Sequence, residues 1–386
     1  MVEVKEMLLD IPNNEKIYVS NIIEFVRKQK NVKIENLVDG ICAKQTYYKM
    51  RKDILIESEI YDGLLSKLGL FYNYKESSLP SYDKLWEYFL LQKWEDFNYE
   101  LNIVNLKLNE ADVNNYILSF SIDMILNNNW NFVGDVLELL PETFREILSF
   151  FYLKYLYTET LENYIDVSKI SMRTLNNKFE YLLLLIREEK YYEATTLCAS
   201  LLNVTNGKLH YSVLVAKLFI IQAIEPISFD DCCEEIKNDP CYIPDSESAY
   251  EFMYTAGMFY YLREIYDKAW FYLENSCKSK KNRIPGLLFL YHMETITEYS
   301  LKERYLNMIS EETMEKSFKV LFEYYEMKYH NVNLEKLENF LWNECRGIIE
   351  ISYPREVVKK IIRDELFWIA RQTGDKRKYY QFNKKQ

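Results

Sequence analysis

Between residues 252 and 278 the chain reads FMYTAGMFYYLREIYDKAWFYLENSCK, a spacing that suits two helices joined by a tight turn. The small residues Ala256 and Gly257 precede Tyr260 by about one helical turn, the polar run REIYD breaks the helix, and Ala269, Leu273 and Ser276 follow on one face of a second. Small side chains let two helix backbones cross closely, while aromatics fill the wedge between neighbouring pairs. EYLLLLIREEKYYEATTLCASLL at 180–202 has the same form, with Tyr191, Tyr192 and Ala194 after the turn. Four weaker copies turn near Trp94, Trp130, His330 and Gly374–Asp375. Each pair buries its apolar face only against the next, so six along one chain predict a continuous helical core. Composition agrees: 9 Gly and 8 Pro in 386 residues are too few for strands joined by tight turns.

This spacing resembles the tetratricopeptide repeat. The resemblance implies an all-α protein whose body, 83–386, is a right-handed α-solenoid of irregular tetratricopeptide-like hairpins.

The first 72 residues read differently. Short helices are expected over an apolar run through Ile17, Ile22, Ile23, Phe25 and Val26, then at Lys33–Val38 closed by Gly40, from about Ala43 to Lys52, and from Ser58 to Leu68 closed by Gly69. NYKESSLPSY, 73–82, is polar and aperiodic and reads as a linker. The net charge of −11 argues against a chain that coats nucleic acid along its length, but residues 24–52 hold eight basic side chains against three acidic ones. Arg27-Lys28, Leu37-Val38, Gly40-Ile41-Cys42, the helix at 43–52 and Leu68-Gly69 follow in the order of a Cro/repressor-type helix-turn-helix. This stretch of about 50 residues resembles the variant found in the Rgg, PlcR, PrgX and NprR regulators. In such a domain the second of two crossed helices presents its N-terminal side chains to base edges, here Lys44, Gln45 and Thr46, with Tyr48 one turn on. Arg27, Lys28, Lys49, Arg51 and Lys52 would meet phosphates, and Leu37, Tyr47, Met50 and Leu64 would form the core.

The whole plan resembles the RRNPP superfamily of peptide-sensing regulators of Gram-positive bacteria. The resemblance implies double-stranded DNA and a short signalling peptide as partners, a homodimer built through the repeats, and quorum-sensing transcription control. In the repeat register the inner-face candidates for peptide are Asn176, Phe179, Arg187, Tyr254, Met258 and Tyr261; packing between hairpins is the competing role of the aromatics, and a loop or helix cap that of Asn176. Rap-like members of the superfamily act on partner proteins without DNA and form the alternative; a scaffold holding a protein tail is a third.

Enzyme chemistry finds no footing in the motifs. No GxG exists, no glycine pair has the P-loop offset, and His210, His292 and His330 are far apart with no HExxH. Cys232, Cys233 and Cys241 lack a CxxC pair or a nearby histidine, so neither metal nor cofactor is expected. Scattered thiols suit a reducing cytosol. No apolar run approaches a membrane span, since Lys154 interrupts the greasiest stretch at 148–157, so a cytoplasmic protein without membrane association is expected.

Overall fold

The computed structural model describes residues 10–52, 56–73, 82–158, 167–297, 305, 308–309, 316–351 and 355–384. Most of the expected linker, 74–81, lies outside them. The described chain is all-helical, with twenty α-helices and no strand; Phe71 and Asp112 form an isolated parallel bridge.

Two compact units divide at Glu180. The first holds α1 (Asn13–Gln29), α2 (Ile34–Val38), α3 (Lys44–Met50), α4 (Ser58–Lys67), α5 (Asp83–Leu90), α6 (Trp94–Lys107), α7 (Val113–Asn127), α8 (Val133–Leu139), α9 (Glu142–Thr158) and the start of α10 (Leu175–Arg187). The second continues with α11 (Tyr191–Val204), α12 (Gly207–Ile224), α13 (Phe229–Lys237), α14 (Glu247–Leu262), α15 (Tyr266–Ser276) and α16 (Lys280–Thr297). It closes with α17 (Lys316–Tyr329), α18 (Leu334–Phe340), α19 (Arg355–Thr373) and α20 (Arg377–Lys384).

All six expected turns fall between helices: α5/α6, α7/α8, α10/α11, α14/α15, α17/α18 and α19/α20. At the α14/α15 crossing, a Cβ on Gly257 would lie 2.7 Å from Leu273 Cγ and 3.0 Å from its backbone nitrogen, so only glycine permits this approach. Ala256 and Ala269 are fully buried beside it, and Tyr260 stacks on Tyr272 at 5.3 Å.

The helices end by a recurrent device. In α1, α4, α5, α10, α14 and α17 the residue two past the last helical one has positive φ: Asn31, Gly69, Gln92, Glu189, Glu264 and Asn331. In α14 the Glu264 amide donates to Tyr261 O at 3.0 Å and the Ile265 amide to Tyr260 O at 2.9 Å. The other five repeat this double bond, the Schellman pattern that satisfies carbonyls left over at a helix end.

The four N-terminal helices pack into the first unit's core. Phe25 of α1 meets Phe120 of α7 at 5.2 Å and Phe132 before α8 at 6.2 Å, both edge-on. The Phe71 amide donates to Ala111 O at 2.8 Å, the Val113 amide to Phe71 O at 3.0 Å, and the Tyr116 hydroxyl to Gln29 Oε1 at 3.0 Å. Phe89, Trp94, Phe97, Phe150 and Phe151 knit α5, α6 and α9, with Trp94 stacked on Phe150 at 5.0 Å.

One expectation is corrected in the second unit. Helix α12 is long and apolar enough on average to cross a membrane, although no such run was expected. Tyr211, Val213, Leu214, Ala216, Leu218 and Ile220 are buried, and Tyr211, Leu214 and Leu218 join the core that also holds residues of α13 and α14.

Candidate nucleic-acid interface

Helix α3 divides sharply between its two faces. Tyr47 and Met50 are buried, joined by Leu37 of α2 and Leu64 of α4, as expected for core. Lys44, Gln45, Tyr48 and Lys49 are exposed, positions that share one side of a helix, and Tyr48 is 58% exposed despite its size. Arg51 and Lys52 extend the exposed stripe beyond the helix end, while Thr46 is half-buried at its margin.

Local geometry holds this face outward. Gly40, at φ +72°, makes the turn after α2, and the Ile41 and Cys42 amides both donate to Val38 O, at 3.0 and 3.1 Å. A Cβ on Gly63 of α4 would come within 3.2 Å of the Ile41 side chain, so the turn rests directly on α4. Tyr47 docks α3 onto α1 by donating its hydroxyl to Glu24 Oε2 at 2.6 Å. Burial and this carboxylate push the Tyr47 phenol well above its ordinary range. Burial raises the Glu24 pKa, but hydrogen bonds from Arg27 and Tyr47 outweigh it and hold the carboxyl below its ordinary value.

Arg27 is corrected. Its Nε and Nη2 donate to Glu24 at 2.7 and 2.8 Å, and its Nη1 donates to Val32 O at 2.8 Å. With its side chain only 16% exposed, the guanidinium closes the end of α1 and is spent on protein partners. Lys28 is exposed. Lys44 pairs with Glu35 on the exposed surface, a solvent-screened contact that a phosphate can displace. Within 24–52 the exposed charged side chains are thus Lys28, Lys30, Lys33, Lys44, Lys49, Arg51 and Lys52, against Glu35 and Asp39.

Several of the six residues expected to face peptide are engaged in packing or hydrogen bonds within the protein. Asn176 is buried: its Nδ2 donates to Phe89 O at 3.1 Å, and its Oδ1 accepts from Gln92 Nε2 at 2.9 Å. It caps the end of α5, the alternative open at the sequence level. Met258 and Tyr261 are core, 3% and 0% exposed. The Tyr261 hydroxyl and His292 Nδ1 are hydrogen-bonded at 2.8 Å with the imidazole neutral, since burial lowers the His292 pKa to about 3. Tyr254 and Tyr261 both stack on Phe289, at 6.1 and 6.0 Å, so packing between helices accounts for them. Phe179 and Arg187 are half-buried on α10.

Below Tyr261 lies a polar cluster that sequence reading missed. Glu365, 1% exposed, accepts from Tyr324 at 2.8 Å and Lys328 Nζ at 2.6 Å, and its Oε1 lies 3.6 Å from His292 Nε2. The groups neutralise one another in a closed core, so the cluster holds α16, α17 and α19 together. Nothing in the local spacing marks Lys328 as different from a surface lysine. Among the described residues no set of three or more His, Cys, Asp or Glu is placed to hold a metal ion. Burial pushes the Cys232 and Cys233 thiols up to about 12, far from reactive thiolates.

Comparison with protein-family models, curated proteins and solved structures finds no match for this chain. Function must therefore be argued from its own residues.

Proposed function

We propose that the chain is a peptide-responsive transcription regulator of the RRNPP kind. It binds operator DNA through a helix-turn-helix formed by α2 and α3, and a short peptide through its right-handed solenoid of tetratricopeptide-like hairpins, as a cytoplasmic homodimer without enzymatic activity. The observation that carries this reading is the exposed stripe of α3. A short helix with a buried Tyr and Met behind it turns two lysines, a glutamine and a large tyrosine to solvent, with Arg51 and Lys52 beyond. Lys and Gln can hydrogen-bond purine edges, and the remaining cations suit phosphates.

Binding to the DNA upstream of the chain's own gene, measured over a series of salt concentrations, tests it. The wild type should bind with affinity falling steeply as salt rises. Changing Lys44, Gln45 and Lys49 together to Ala should weaken binding by about 100-fold, because two base contacts of about 1–3 kcal/mol each and one phosphate contact are lost. Arg27→Ala should lower stability and leave the salt slope intact. Equal binding by the triple variant would refute the assignment of α3.

The second reading, a Rap-like receptor that acts on a partner protein, draws support from the packing of α1 against α7 and α8. Helices built into a larger core suit a fixed protein-binding body as well as a DNA-reading head. Absence of any specific DNA complex would favour it.

A further inference from the structure

The second unit contains a cleft of about 320 Å³ formed by α12, α14, α19 and the first residue of α11. Phe219, Phe259 and Leu262 supply apolar walls, with Phe219 and Phe259 edge-on at 5.1 Å. Two polar groups in it are poorly satisfied. The Gln222 side-chain oxygen is buried and accepts no hydrogen bond. Among the described residues, the ion pair of Arg363 is a long one, 3.6 Å from Nε to Asp364 Oδ1, while Lys360 lies 3.0 Å from the other oxygen of that carboxylate. The neighbouring lysines are also paired, Lys359 with Glu356 and Lys360 with Glu264, each at 2.8 Å. A buried amide oxygen without a donor costs free energy until a ligand supplies one, and a loosely held guanidinium offers a planar fork for a carboxylate.

We propose that this cleft binds the C-terminal residue of an apolar peptide. Arg363 takes the terminal carboxylate, Gln222 accepts the last backbone N–H, and Phe219, Phe259 and Leu262 hold the final side chain. The proposal rests on the peptide-receptor reading and gives it a location and an orientation. It places the ligand away from Tyr254, Met258 and Tyr261, which are engaged in packing. A simple fatty carboxylate would satisfy Arg363 but leave Gln222 unpaired.

The test uses the full chain, immobilised, and a mixed library of N-acetylated pentapeptides prepared both as free acids and as C-terminal amides. Retained peptides are identified by mass spectrometry, with octanoate as competitor. Free acids ending in an apolar residue should be enriched about tenfold over the matching amides. Arg363→Gln and Gln222→Leu should each reduce that retention about tenfold. Thermal melting should show Gln222→Leu folded and at least as stable as wild type, because it removes an unsatisfied buried group. Equal retention of acids and amides would overturn the proposal and leave the peptide-receptor reading standing, whereas retention of neither library would remove both. Displacement by equimolar octanoate would overturn it in favour of a simple carboxylate site.

Discussion

Arg27 and Arg363 are both arginines on helix surfaces, yet their surroundings assign them opposite roles. Glu24 and Val32 O occupy three donors of Arg27, whereas Arg363 meets Asp364 only across 3.6 Å among the described residues. A guanidinium already paired in a half-buried pocket gains little by meeting a phosphate, since the same bonds must first be broken. Lys328 shows the same dependence on surroundings. It is 12% exposed, pairs with the buried Glu365 at 2.6 Å, and lies 4.2 Å from the Trp368 ring centroid. Replacing it with Met strands a buried carboxylate, so Lys328→Met should destabilise the second unit by about 3–5 kcal/mol in urea denaturation. Lys328→Met combined with Glu365→Gln should recover much of that loss. A single variant as stable as wild type would show that the carboxylate is solvated by other means.

At the scale of elements, the helix ends explain how a chain so poor in glycine turns so often. The left-handed position that closes a helix is usually glycine, but here Gln92, Glu189 and Glu264 occupy it at φ +54°, +59° and +60°. A side chain there costs about 1 kcal/mol, which each turn tolerates because the double backbone bond and the packed helices hold it. Glu189 is exposed, so Glu189→Gly should raise stability by about 0.5–1 kcal/mol in chemical denaturation. No gain would mean that the Cβ at this turn is not strained. Gly69 and Gly374 were legible as stops because they are glycines. The remaining turns were legible as polar breaks between apolar runs, which locates a turn without revealing how it closes. The crossing at Gly257 was legible because close approach needs a small residue at a fixed distance from its partner.

For the whole molecule, two buried titratable groups, one in each unit, contribute to stability with opposite dependence on pH. In the first unit, burial raises the Glu180 carboxyl from its ordinary 4.5 to about 7, with Lys154 at 3.9 Å only partly offsetting it. Its native pKa lies above the unfolded one, so its contribution is full below pH 4.5 and is lost as pH rises through 7. In the second unit His292 falls from 6.5 to about 3, so its contribution is full above pH 6.5 and is lost as pH falls toward 3. Hydrogen exchange, corrected for intrinsic rates, should find α9 and α10 around Glu180 better protected at pH 5 than at pH 8, with Glu180→Gln abolishing the difference. Segments around His292 should show the reverse trend. Parallel trends in both units would refute these environments.

The sequence by itself determined that the chain is helical, where its six clearest helix pairs turn, and which side of α3 is core. Those properties are local: they follow from the period of the helix, from small residues at crossings, and from one amphipathic face read over a few turns. Tertiary structure decided that Asn176 caps α5 and that Tyr261 serves His292. It also committed Arg27 within the protein and brought Gln222 and Arg363 to one cleft. The physical reason is that a polar side chain's role depends on which group lies opposite it. Gln222 and Arg363 meet from helices far apart in the chain, and no periodicity within either helix records the other.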